Sequence, residues 1–153
     1  MEEREYREIY SAINERRCPY EKAINSRRCN CSQSRRFNLA NREGVACKSE
    51  AGNLLCNDLL NIMRQKARFS LHVTHATSPL PHAKEIKVQV GGLLGLQKLV
   101  NPQAADASTV GDIYGLTNSA LGHYVSLSEL PFAEIVQSIV IFEGRGKRPR
   151  PPK

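Results

Sequence analysis

Five cysteines stand in the pattern Cys18-x10-Cys29-x-Cys31-x15-Cys47-x8-Cys56, and the first four share their segment with the pairs Arg16-Arg17, Arg27-Arg28 and Arg35-Arg36. A thiolate is a soft ligand for zinc or an iron–sulfur core, whereas a buried thiol is a small, inert apolar group. The neighbours of Cys18, Cys29, Cys31 and Cys47 are Arg, Asn, Ser, Lys and Pro, a context that favours ligands over core packing. Cys56 lies on the apolar stripe of an expected helix and reads equally well as a core residue or as an alternate ligand. An odd number of thiols argues against a disulfide framework.

The spacing bears on which metal is expected. Structural zinc sites take paired ligands two to four residues apart, and the chain has no C-x2-C. Iron–sulfur clusters accept ligands from several separated loops. The expectation is therefore an iron–sulfur centre of the [4Fe–4S] type, with zinc as the alternative. Either centre with four thiolates carries a charge of about −2. Arg16, Arg17, Arg27, Arg28, Arg35 and Arg36 would offset that charge and donate hydrogen bonds to sulfur. The competing reading turns these arginines outward, toward solvent or a phosphate backbone.

Charge is distributed unevenly. Of a net +7 over 153 residues, residues 16–48 hold nine Lys/Arg against two Glu, and residues 144–153 hold five Lys/Arg and no acid. Two basic patches on a mildly acidic body imply an anionic partner. An acidic protein surface is expected first, with nucleic acid as a second candidate through the Arg pairs and the tail. The acidic beginning, MEEREYREIY, is neither a secretory signal nor a transit peptide in character, and no apolar run approaches a membrane span. A cytoplasmic location away from membranes follows as the expectation.

The elements that would position these residues follow from hydrophobic periodicity. Residues 2–16 and 53–68 predict amphipathic helices enclosing the polar, Cys-rich loop. Alternation in RFSLHV and EIKVQV predicts short strands at residues 69–73 and 86–90, joined through Pro79 and Pro81. Helices are expected at 93–100, within 106–116, and at 132–142, the last ending in a strand. The fold class expected is a small single α+β domain, with a helix-rich N-terminal half around a metal-binding loop and short strands in the C-terminal half. Its parts are residues 1–70, the α+β remainder 71–143, and a disordered basic tail, 144–153.

Other motifs carry little. His72 and His75 form H-x2-H with no carboxylate to complete a site. Gly91-Gly92-Leu93-Leu94-Gly95 is G-G-x-x-G, not the dinucleotide pattern, and reads as close packing. No catalytic constellation is visible by spacing. The function expected is a small metal protein serving electron transfer, redox sensing or a larger metalloenzyme. The alternatives are a zinc-stabilised nucleic-acid-binding module and a metal-free protein-interaction adaptor.

Overall fold

The computed structural model describes residues 2–73 and 80–143. Tyr6, Ile9, Tyr10 and Ile13 recur at helical spacing behind an acidic first turn, and they form α1 (Glu3–Ile13). The helix ends at Asn14, whose backbone N–H still bonds Tyr10. The chain then runs antiparallel beside the hairpin: the Cys18 N–H donates to Val45 O at 3.0 Å and the Cys47 N–H to Arg16 O at 2.8 Å. After the short α2 (Glu21–Asn25) come β1 (Ser34–Leu39) and β2 (Arg42–Cys47), paired antiparallel from Ser34 opposite Cys47 to Leu39 opposite Arg42.

A two-residue turn, Ala40-Asn41, closes the hairpin with φ of 51° and 65°. Positive φ at both positions gives the turn the twist that strands require, at about 1 kcal/mol for each residue that is not glycine. Gly44 answers a different need. The Phe37 ring lies across it, and a Cβ there would sit 2.3 Å from a ring carbon. Phe37 in turn meets the Tyr10 ring at 5.6 Å between centroids, so α1 covers that face of the hairpin.

The rest is helical. Ser49 accepts a hydrogen bond from the Gly52 N–H and caps α3 (Glu50–Ala67), whose inner stripe is Cys56, Leu59, Leu60, Met63 and Ala67. α4 (His82–Ile86), a π-helical turn (Lys87–Gly91) and α5 (Gly92–Val100) follow one another as a continuous rod. Val88, Val90, Leu93 and Leu96 on this rod are fully buried. α6 (Ile113–Tyr124) and α7 (Phe132–Ile141) pack against it. α7 comes so close that a Cβ on Gly91 would stand 2.8 Å from the Ile139 Cα. The G-G-x-x-G motif therefore serves helix packing.

The molecule is a small α+β domain, but the strand assignment differs from expectation. The short strands lie at residues 34–47, inside the segment expected to be a loop, and no C-terminal strand exists among the described residues. Residues 69–73 are turns after α3, and residues 86–90 are helical. Ile86, Val88 and Val90 alternate with Glu85, Lys87 and Gln89, but Glu85 and Gln89 are buried and hydrogen-bonded to each other, and Glu85 to Arg64, so the polar positions do not mark a solvent face. Residues 132–141 are helix to the end. His75, Pro79 and the basic tail lie outside the described residues. No helix among the described residues is long and apolar enough to cross a membrane.

Candidate functional site

The five thiols come from five pieces of chain. Cys18 follows the segment that pairs with β2, Cys29 forms an isolated bridge with Val110, and Cys31 precedes β1. Cys47 ends β2, with its thiol donating to Ser49 O at 3.2 Å. Cys56 faces inward from α3, as its place on the apolar stripe implied. Cys18, Cys29 and Cys56 belong to the hydrophobic core, while Cys31 and Cys47 are half-buried.

Cys18, Cys31, Cys47 and Cys56 lie within electrostatic reach of one another, whereas Cys29 stands apart beside Arg28. Tyr20 is fully buried next to Cys56, Cys18 and Cys29, and its hydroxyl has no hydrogen-bond partner among the described residues. Nevertheless, no three His, Cys, Asp or Glu side chains among the described residues converge as a set able to hold a metal ion. This overturns the iron–sulfur expectation and its zinc alternative. Each thiol is placed by the backbone bonding of its own segment, and the group packs as small apolar residues do.

Burial pushes the thiols of Cys18, Cys29 and Cys56 up to about 12 from an ordinary 9.0, so they are protonated at neutral pH. An acid whose pKa is higher folded than unfolded stabilises the fold below its unfolded value, because the unfolded chain releases its proton first. That contribution is lost as pH rises from 9.0 toward 12. Urea midpoints should be flat with respect to these thiols at neutral pH and fall steeply above pH 9, at up to about 1.4 kcal/mol per pH unit for each thiol. Cys29→Ala should flatten that fall; a midpoint that holds or rises through the window would contradict protonated buried thiols.

The arginines separate from the sulfurs. Adjacent residues of an extended chain point to opposite sides, so the pairing Arg-Cys in sequence becomes guanidinium out, thiol in. Arg17 donates to Glu21 at 2.7 Å and lies over the Tyr10 ring. Arg27 pairs with Glu43, and Arg36 donates to Ile24 O at 3.2 Å. Arg28 lies over the Phe142 ring and beside the Cys29 thiol, whose ionised form its charge favours. The expected counter-charge shell around a metal is therefore absent among the described residues.

Two features escaped the sequence reading. One is Glu21, a buried carboxylate that ties three elements together. It accepts from the Tyr10 hydroxyl, from Arg17, and from the Val45 N–H at 2.8 Å. Burial and this bond push the Tyr10 phenol well above its ordinary value. The other is a groove of about 280 Å³ where the end of α1 meets the hairpin, lined by Ile13, Asn14, Glu15, Arg16, Arg35 and Lys48 among others. Arg16, Arg35 and Lys48 form no ion pair with a carboxylate among the described residues. Asn14 is almost fully buried beside them, and its side-chain oxygen has no partner among the described residues. The three cations are far apart in sequence, so only the hairpin register could have exposed the cluster.

The chain matches no family model. No curated protein and no solved structure is similar to it at a significant level.

Proposed function

We propose that this domain is a metal-free protein-interaction module whose groove between α1 and the hairpin receives an acidic segment of a partner protein. The carrying observation is the contrast in charge satisfaction. Arg17, Arg27, Arg42 and Arg64 each hold a carboxylate, whereas Arg16, Arg35 and Lys48 line one groove with none of their own. Glu15 is the only acid in that lining. The lining also contains Ile13, an apolar side chain left 46% exposed, which suits a peptide side chain better than a sugar–phosphate backbone.

The test is fluorescence anisotropy with a labelled peptide that alternates Glu and Leu. Binding should saturate, weaken as salt is raised, and fall by roughly ten-fold or more in Arg16→Glu/Arg35→Glu/Lys48→Glu. Unchanged affinity in that variant would sink the proposal. So would tighter binding of a labelled single-stranded RNA through the same three cations at the same ionic strength.

A further inference from the structure

A second, mostly apolar cavity lies between the turn that follows α3 and the start of the helical rod. Its volume is about 640 Å³ and its walls include Leu71, Ala83 and Ile86. This is within the range of small-ligand sites, roughly 300–1,000 Å³. The polar groups around it include Lys84, Lys87 and His82, and no carboxylate lines it among the described residues. The Lys87 ammonium donates to Val140 O at 2.8 Å, at the margin of the cavity, and has no ion-pair partner among the described residues. Lys84 has no ion-pair partner among the described residues. Glu85, the adjacent acid, is turned into the core onto Arg64 and is fully buried, so it does not complete the pocket.

We infer that this cavity binds a small amphipathic anion: an apolar body against Leu71 and Ile86, and a carboxylate-type head at Lys84 and Lys87. The apolar wall removes hydrocarbon from water, and the two ammonium groups select the charged end over an uncharged one. The site is distinct from the peptide groove and does not depend on it.

Isothermal titration with decanoate tests the inference. One decanoate per chain should bind with a dissociation constant on the order of 10–100 μM, as ligand efficiency allows for a molecule of that size. Decan-1-ol, with the same chain and no charge, should bind at least ten-fold more weakly. Lys84→Glu should weaken decanoate at least ten-fold, and Ala83→Trp, which fills the cavity from an exposed position, should abolish binding without lowering the melting temperature. The inference is overturned by the absence of saturable binding up to the solubility limit, by equal binding of decan-1-ol, or by decanoate affinity that neither variant changes.

Discussion

Arg64→Met should destabilise the domain by about 3–5 kcal/mol, the cost of leaving a buried charge without its partner. The Arg64 and Glu85 side chains are only 9% and 1% exposed, and they meet in a two-pronged pair, Nε to Oε1 at 2.8 Å and a terminal nitrogen to Oε2 at 3.2 Å. Glu85 also accepts from the Leu80 N–H at 3.0 Å and from the Gln89 amide at 2.9 Å. Gln89 in turn accepts from the Ala23 N–H at 3.0 Å. One carboxylate thus connects α3, the helical rod and, through Gln89, α2. Because domains of this size are stable by only about 5–15 kcal/mol, that loss is a large share of the total and should lower the melting temperature by roughly 10 °C or more. Arg64→Met/Glu85→Gln should recover at least half of the loss, since the amide keeps the shape and an acceptor for Leu80 while removing the stranded charge. Urea midpoints of the wild type, both singles and the double provide the cycle. A double variant as unstable as the summed singles would show that the pair is not what the loss reports.

Glu21→Ala should cost about 3 kcal/mol, because it strands a buried amide, a phenol and a guanidinium at once. Glu21 begins α2, and its carboxylate is the shared acceptor for Tyr10 on α1, Arg17 on the connecting segment and Val45 on β2. Asn14 extends the network, donating to the Tyr10 hydroxyl at 2.8 Å and to Val45 O at 3.1 Å. Removing the carboxylate should therefore loosen α1 from the hairpin before it unfolds the helical half. Hydrogen exchange should show the amides of residues 43–47 losing protection while those of α3 and α5 keep most of theirs. Glu21→Gln retains one acceptor, and its loss should be less than half as large. Uniform loss of protection across α3 and α5 would mean that the network supports the whole core.

Both networks explain what the Cys-rich segment lacked when read as a loop. A stretch that is polar, Arg-rich and without apolar periodicity has no local reason to be ordered. It is ordered by Glu21, by the Ala40-Asn41 turn, and by Phe37 seated on Gly44 and against Tyr10. The turn signal was weak because Ala-Asn is a poor pair for positive φ at both positions. Glu21 looked like any surface acid beside a lysine. Thiol burial was legible only for Cys56, on the apolar stripe of its helix: a polar neighbourhood in sequence does not determine which side of a strand a cysteine occupies.

By itself, the amino-acid sequence determined the helices around residues 3–13, 50–67, 92–100 and 132–141, and the net basic charge of the segment between the first two, though not which way its arginines face. Those features depend on periodicity over a few turns and on ionisation, which are local properties. Tertiary structure alone decided that residues 86–90 are helix, since the same alternation suits a strand or a helix whose polar residues, here Glu85 and Gln89, are hydrogen-bonded inside the core. It also decided that the thiols turn inward without assembling a metal-ligand set, and that Arg16, Arg35 and Lys48 meet at one groove. Such placements depend on strand register and on long-range carboxylate bonds, and a one-residue slip would send every one of these side chains to the opposite face.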